Sequence, residues 1–272
     1  MRALPILLLT AASLSAQENL NVLEDAPDMV DRYLAPVAGR YLADRAAKVA
    51  AISTPAQVAE RQAYVRKKFA EAVGGWPDKT PLNARITGTL KGDGYRLEKL
   101  VFESLPRFYV TANVFVPTAG KPPYPALLGV AGHSANGKAS ALYQRAWISL
   151  AKRGLLVLAY DPPGQGERSE FFDRDLGRSS IGIGTREHTM AGLQCLLTGT
   201  NYARYEIWDG IRAFDYLLTR QDVDGKRVAV AGNSGGGTQS AYLAVAEPRL
   251  AAAAPSCYLT SWEKQWIQPG PQ

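Results

Sequence analysis

The chain has 272 residues, 46% of them hydrophobic and 9% aromatic, so it is long enough to bury a sizeable core in one globular domain with an extension. Its 31 Lys and Arg against 25 Asp and Glu give a net charge of +6, but the densest basic run, residues 66–68, falls on a helical pattern whose opposite face is apolar. That pattern predicts a solvated helix face and argues against a nucleic-acid partner.

The N-terminus has the layout of a secretory signal peptide. In "MRALPILLLTAASLSA" one arginine precedes a short apolar run that ends on small residues. The run is shorter than the about 20 apolar residues of a membrane-spanning helix, and no later run reaches that length. We therefore expect residues 1–16 to be a signal peptide rather than a buried helix. The mature protein is then secreted or periplasmic, without a membrane span.

Residues 17–80 are predicted to form a helical N-terminal extension. The clearest helix begins at Thr54 and Pro55, a capping residue followed by proline at the first helical position. The apolar residues of one face recur at helical spacing: Val58, Val65, Phe69 and Val73. Gly74, Gly75 and Pro77 are expected to end this helix.

A different pattern begins at about residue 81. The runs "YRLEKLVFES" and "FYVTANVFVP", separated by "LPR", predict an antiparallel hairpin. From Tyr124 onward, strands alternate with helices: strands in "YPALLGVAG", "LLVLAYD", "RVAVAG" and "LAAAAPS", and helices over 138–153, 205–220 and 238–247. This alternation predicts an α/β fold with a mostly parallel sheet and helices on both faces. Residues 162–201 show no pattern that assigns an element.

One serine stands among glycines directly after a predicted strand. In "GNSGG", Ser234 has glycine two residues before and two after, which is the G-x-S-x-G spacing of a nucleophile elbow. Such a sharp strand-to-helix turn strains the serine backbone, and side chains at the flanking positions would collide with it. We predict that Ser234 is a nucleophile. The alternative is a glycine-rich turn whose serine only caps the next helix.

Two further loops follow predicted strands. In "GVAGHSANGK", Gly132 allows a turn, after which the backbone N–H of His133 is predicted to form an oxyanion hole with that of Gly235. We expect the His133 ring itself to be solvated. The other loop, "YDPPGQGERS", contains GxG, but prolines precede it and no helix opens at Gly166, so a dinucleotide loop is not expected.

The cysteines and histidines are few. Cys195 and Cys257 lie in apolar contexts, which leaves a disulfide and two buried free thiols equally open. His133 and His188 are far apart in sequence and have no carboxylate at metal-ligand spacing. We therefore expect no metal site.

Taken together, these stretches resemble bacterial α/β-hydrolases related to acetyl xylan esterases. The similarity rests on the order of "GHSANGK", "YDPPGQGERS", "EHTMAGLQCLLTG", "YEIWDGIRAFDYL", "GNSGGGTQS" and "AAPSCYLTSWE", and extends from roughly residue 77 to the end. The resemblance implies an α/β-hydrolase fold and a Ser-His-Asp hydrolase of carboxylic esters, often acetyl groups on plant polysaccharides, without a cofactor. It carries over Ser234 as nucleophile, and Gly235 and His133 as oxyanion donors.

The chain departs from this family in its triad. In α/β-hydrolases the acid and the histidine follow the serine, but only Glu247 and Glu263 follow Ser234, and no histidine does. His188 lies upstream, where it would serve as base only in a rearranged topology. We therefore expect residues 81–272 to be an incomplete α/β-hydrolase domain whose triad acid and histidine lie beyond residue 272.

Three functions remain open at this point. The leading one is a serine esterase acting on small-molecule or polysaccharide esters. A prolyl oligopeptidase-type peptidase shares the elbow, but the roughly 60 residues before the hydrolase part are too few for a propeller, whose blades need about 40 residues each. A catalytically inactive binding protein is the third, and the strained elbow would then be an unused cost.

Overall fold

The structure, a computed structural model, describes residues 28–267, so the predicted signal peptide over residues 1–16 lies outside the described range. The chain divides into two units, one up to Val58 and one from Ala59 onward. Among the helices of residues 28–267, none combines the length and the apolar character that crossing a membrane requires.

The first helices are α1 (Met29–Ala50) and α2 (Pro55–Ala72). The predicted start of α2 is confirmed, and it carries a reciprocal capping box. The N–H of Thr54 donates to Oε1 of Gln57 at 3.1 Å, and the N–H of Gln57 donates to Oγ1 of Thr54 at 3.3 Å. These two hydrogen bonds satisfy amides that the first turn of a helix otherwise leaves without partners.

The second unit is built on a seven-stranded sheet. The strands of the described chain are β1 (Arg85–Gly92), β2 (Tyr95–Leu105), β3 (Phe108–Pro117), β4 (Tyr124–Val130), β5 (Leu156–Tyr160), β6 (Phe172–Asp173), β7 (Arg178–Ser179), β8 (Val223–Asn233) and β9 (Ala252–Ser256). The sheet has the order β1-β2-β3-β5-β4-β8-β9, while β6 and β7 pair only with each other. Strands β5, β4, β8 and β9 are parallel, and β1, β2, β3 and β5 pair antiparallel in turn.

The remaining helices of the described range are α3 (Ala141–Ala151), α4 (Thr185–Leu197), α5 (Tyr202–Thr219), α6 (Gly235–Ala246) and α7 (Trp262–Ile267). The predicted hairpin is β2 and β3, and the four strands and three helices predicted after Tyr124 are all present, so these predictions are confirmed. Helix α3 is shorter than predicted, because residues 137–139 form a separate 3-10 turn ahead of it.

The sequence did not predict β1, α4, α7 or the two-residue strands β6 and β7. The two longest of these, β1 and α4, are poorly buried. Strand β1 is exposed at most of its positions, so it shows no apolar alternation. Helix α4 lies in the unassigned residues 162–201. It buries only Glu187 and Ala191, while Leu193, Leu196 and Leu197 are exposed. Without a continuous buried stripe, the helical period leaves no signal in the sequence.

Helices cover both faces of the sheet, as predicted. On one face Leu128 of β4 and Leu158 of β5 are fully buried together with Phe214 of α5 and Leu243 of α6. On the other face the neighbouring strand residues, among them Leu127 and Val157, pack against α3 through Tyr143, Trp147 and Ala151. Because successive strand side chains point to opposite faces, continuous apolar strands serve both layers.

The two cysteines are unbonded in the structure. Cys195 is half-buried on α4, and Cys257 is exposed just after β9. The expectation of either a disulfide or two buried thiols is therefore wrong, because the end of β9 leaves the Cys257 side chain in solvent.

Leu158→Ala tests the core. Leu158 is fully buried at the centre of the sheet, so truncation should lower the free energy of unfolding by about 3 kcal/mol, measured by urea unfolding. Leu142→Ala is the matched control, because Leu142 is 60% exposed on α3 and should unfold like the unsubstituted protein. Equal losses in both variants would contradict this assignment of the core.

Candidate active site

Ser234 lies at the turn between β8 and α6, where the backbone is strained. Its φ of 58° and ψ of −121° fall in a region that residues with a side chain rarely adopt. Its N–H donates to the carbonyl of Ser256 at 2.9 Å, which ties the turn to the end of β9. The side chain is half-buried at the carboxyl end of the sheet, and α6 begins at the next residue.

The glycines around Ser234 allow backbone to pack on backbone. A Cβ on Gly236 would lie 2.2 Å from the carbonyl oxygen of Val130, and one on Gly232 would lie 2.5 Å from the same oxygen. A Cβ on Gly237 would lie 2.2 Å from the carbonyl oxygen of Ser256. Helix α6 therefore starts in direct contact with the ends of β4 and β9, a packing that alanine at these positions would prevent.

The loop after β4 lies directly against this turn. A Cβ on Gly132 would lie 2.3 Å from the carbonyl oxygen of Asn233 and 3.3 Å from Cβ of Ser234. His133 follows immediately, and within residues 28–267 the backbone N–H groups of His133 and Gly235 donate to no protein acceptor. Two unoccupied amides thus flank the serine, one of them in the first turn of a helix, where the dipole favours negative charge.

The His133 ring is not solvated as expected. It is half-buried above Gly235, where a Cβ would lie 2.8 Å from Cε1 of the imidazole. The ring of His188, from α4, lies 5.1 Å away between centroids. Burial, and secondarily the neighbouring His188, lowers the pKa of His133. The fold therefore brings together two histidines that are 55 positions apart in sequence.

Residues that the sequence analysis did not identify hold the two loops in place. The fully buried carboxylate of Asp161 accepts hydrogen bonds from Oγ1 of Thr111 at 2.7 Å and from the N–H of Lys138 at 2.8 Å, and it pairs with the Lys138 ammonium. Oε1 of Gln165 accepts from the N–H of Ser134 at 2.7 Å. The one sequence signal for these residues is the position of "YDPPGQG", directly after a buried strand.

A largely buried acidic group lies behind the histidines. Oε1 of Glu206, on α5, is 3.6 Å from Nε2 of His188 and 3.4 Å from Nε2 of Gln239 on α6. Burial, and then the nearby carboxylate of Asp209, raises the pKa of Glu206 to about 8, against the opposing effect of Arg168. Glu206 therefore holds a proton through much of the physiological pH range.

The structure brings Ser234, Gly235 and His133 together, but it places no base on the serine. Within residues 28–267, Oγ of Ser234 forms no hydrogen bond with a histidine. Nε2 of His188 instead lies 2.9 Å from the carbonyl oxygen of Pro163. Glu247 is buried at the opposite end of α6, about 18 Å along the helix, where its carboxylate pairs with Arg249.

Gly236→Ala tests the close packing at the turn. The added Cβ meets a backbone carbonyl that cannot move without displacing β4, so we expect a loss of about 2 to 3 kcal/mol in unfolding free energy, measured by urea unfolding. Gly88→Ala on β1 is the control, because its Cβ would lie 3.7 Å from the flexible side chain of Lys99. A stable Gly236→Ala variant would contradict this packing.

Glu206→Gln tests the buried carboxyl. The pKa of Glu206 is about 8 in the folded state and 4.5 as its ordinary value, so the folded protein binds the extra proton between these limits. The contribution of Glu206 to the unfolding free energy is therefore fully present below about pH 4.5. It is lost progressively as the pH rises from there to about 8.

Glutamine keeps the neutral form at all pH values. The difference in unfolding free energy between the variant and the unsubstituted protein should therefore grow in favour of the variant by on the order of 1–3 kcal/mol from about pH 5 to pH 8. Urea unfolding at both pH values measures this difference. Glu60→Gln, at an exposed position on α2, should show no such pH-dependent gain. If Glu206→Gln raises the unfolding free energy by the same amount at both pH values, the pKa of Glu206 is not raised.

Comparison with known proteins shows the family and the fold. Residues 88–268 match the acetyl xylan esterase (AXE1) family. No curated protein matches the sequence at a significant level. Among solved structures, a Bacteroides fragilis protein classed as an acetyl xylan esterase aligns with a TM-score of 0.62 at 21% identity, covering 73% of this chain and 53% of that one.

Other solved structures are similar over the same part of the chain. A methylesterase aligns with a TM-score of 0.56 at 25% identity, covering 75% of this chain and 42% of its own. Acetyl xylan esterase 1 from Thermoanaerobacterium sp. aligns at 0.50 and 20% identity, covering 70% and 56%. This chain thus spans about half the length of these solved relatives. Since the family match covers more than half of its residues, the chain belongs to the acetyl xylan esterase family of the α/β-hydrolase superfamily.

Proposed function

We propose that this chain carries the nucleophile and the oxyanion hole of a serine esterase that removes acetyl groups from carbohydrates. The observation that carries the proposal is Ser234 at a strained φ of 58°, beside the unbonded amides of His133 and Gly235, in a chain of the acetyl xylan esterase family. The family match favours this function over a peptidase or an inactive binding protein.

The proposed reaction is a two-step acyl transfer. Oγ of Ser234 attacks the ester carbonyl, its proton passes to a histidine base, and the carbonyl oxygen becomes an oxyanion. The N–H groups of Gly235 and His133 donate hydrogen bonds to that oxyanion, aided by the N-terminus of α6. The alcohol leaves with the proton, and water then releases the acid from the acyl-serine.

The two upstream histidines are not proposed as this base. His188 is held by the carbonyl of Pro163 and lies beside Glu206, and the His133 ring packs over Gly235 on the oxyanion side. The side chain of His133 therefore has a packing role in this proposal, and only its amide contacts the reacting atoms. A Ser-His-acid triad completes the proposed enzyme, and we assign no residue of this chain as its acid or its histidine.

The proposal includes the organisation of the chain. Residues 1–16 act as a signal peptide, residues 17–80 form the extension, and residues 81–272 belong to the hydrolase domain. The layout of the N-terminus supports export, which places the enzyme in the periplasm or outside the cell, where polysaccharide esters occur.

Ser234→Ala in the full-length protein tests this function. The variant should lose hydrolysis of a chromogenic acetate ester by a factor on the order of 10⁴ or more, because the nucleophile acts as a unit with its base. It should also resist covalent labelling by a fluorophosphonate. Ser180→Ala is the control, because Ser180 is exposed in the loop before α4. This variant should keep ester hydrolysis and the labelling by the fluorophosphonate. Equal turnover by Ser234→Ala would overturn the proposal.

A further inference from the structure

A recess opens beside the histidines and is not used by the proposed chemistry. It has a volume of about 250 Å³ and lies between the start of β3, helix α4 and the first turn of α5. Its lining includes three aromatic and three polar residues: Phe108, Tyr202, Tyr205, Glu170, Gln194 and Thr198. Much of this lining comes from residues 162–201, the stretch in which the sequence predicted no element.

The aromatic side of the recess is fixed by packing. The rings of Phe108 and Tyr205 lie 6.1 Å apart between centroids at an interplanar angle of 46°. The guanidinium of Arg168 stacks on Phe108 at 5.2 Å while it pairs with the buried Asp209. These contacts fix the rings before any ligand binds. Binding against them therefore costs little conformational entropy of the protein.

The rim of the recess is polar. Gln194 is exposed on α4, and its carboxamide forms no hydrogen bond within the described part of the chain. Glu170 lines the same recess and is exposed, and its backbone N–H donates to Oε2 of the fully buried Glu187 at 2.8 Å. The loop that carries Glu170 is therefore anchored, and the carboxyl group is left to face solvent or a ligand.

The recess is close to the proposed nucleophile. The ring of Tyr202, in its wall, lies 4.9 Å from that of His188 between centroids, and His188 lies 5.1 Å from His133, which covers Gly235. Two imidazole rings thus separate the recess from the oxyanion hole. An oligosaccharide that occupies the recess and extends past these two rings would reach the oxyanion hole.

We propose that this recess is a subsite for a neutral pyranose sugar on the alcohol side of the ester, an inference that rests on the proposed function. The recess is larger than an acetyl group and its lining does not include Ser234, Gly235 or His133, so we assign it to the carbohydrate. Fixed aromatic rings match the C–H face of a sugar, and a rim of amide, hydroxyl and carboxyl groups matches its hydroxyls. The Glu170 carboxylate accepts hydroxyl donors and repels the carboxylate of a uronic acid.

Direct binding of oligosaccharides to the full-length protein tests the subsite without requiring turnover. Desolvation by its neighbours raises the pKa of Glu170, and the carboxylates of Glu187 and Asp209 add to this against the opposing effect of Arg168. Calorimetric titrations are therefore run at about pH 8 to ionise it. Xylotriose should bind in the millimolar range, and trigalacturonic acid should bind about 10-fold more weakly because each of its residues carries a carboxylate.

Two exposed substitutions separate the parts of the proposal. Gln194→Ala should weaken xylotriose binding by about 3- to 10-fold through one lost hydrogen bond. Glu170→Gln should narrow the difference between xylotriose and trigalacturonic acid, because it removes the repelling charge. Gln221→Ala, an exposed glutamine between α5 and β8, is the matched control and should bind xylotriose like the unsubstituted protein. Thermal midpoints verify that each variant is folded.

The proposal is overturned if xylotriose does not bind, if Gln194→Ala binds it unchanged, or if Glu170→Gln leaves the discrimination intact. Ester hydrolysis and fluorophosphonate labelling distinguish this failure from that of the proposed function. A protein whose Ser234 reacts but which binds no xylotriose is an esterase without this subsite. A protein that shows the predicted xylotriose binding while Ser234 stays inert has the sugar site but not the proposed chemistry.

Discussion

The structure depends on one close approach of backbone to backbone, that of α6 against the end of β4. The carbonyl oxygen of Val130 lies only 2.5 Å from the position of a Cβ on Gly232 and 2.2 Å from that of a Cβ on Gly236, so this contact requires glycine at both positions. It fixes where α6 begins, forces the strained backbone of Ser234, and leaves the Gly235 amide at the helix N-terminus. The loop of Gly132 and His133 lies at the same edge of the sheet. The proposed chemistry is therefore located where the end of β4 meets the start of α6.

Buried charged side chains hold the loops in place, as the hydrogen bonds of the sheet hold the strands. Asp161 binds Lys138 in the 3-10 turn, and Arg168 pairs with Asp209 while donating to the carbonyl of Asp161 at 2.8 Å. Glu187 holds Ser169 and the backbone of Glu170. Buried polar groups are costly unless they are paired, so these contacts together restrict the loops to one arrangement. The loop of His133 and the walls of the recess lined by Phe108 and Tyr205 are both products of that arrangement.

Periodicity predicted the elements that bury apolar faces and missed those that do not. Strands β2, β3, β4, β5 and β8 and helices α3, α5 and α6 bury apolar residues in the core layers. Strand β9 is the exception, because it was predicted from its apolar composition although it is largely exposed. Strand β1 and helix α4 are largely exposed, and their composition carries no such signal. The His133 ring was misjudged for a related reason, because its cover comes from Gly235 and from His188 on the unpredicted helix.

The sequence by itself determined the class of fold, the family, the strand-turn-helix around Ser234 and the identity of the two amides beside it. These follow from local rules, since glycine spacing and hydrophobic period act over a few residues. Only the tertiary structure decided which distant side chains meet: His188 with His133, Glu206 with both His188 and α6, and Phe108 with Tyr205 at the recess beside α4. Such contacts depend on how the loops between elements cross the sheet edge, which is set by long-range packing and by buried ion pairs.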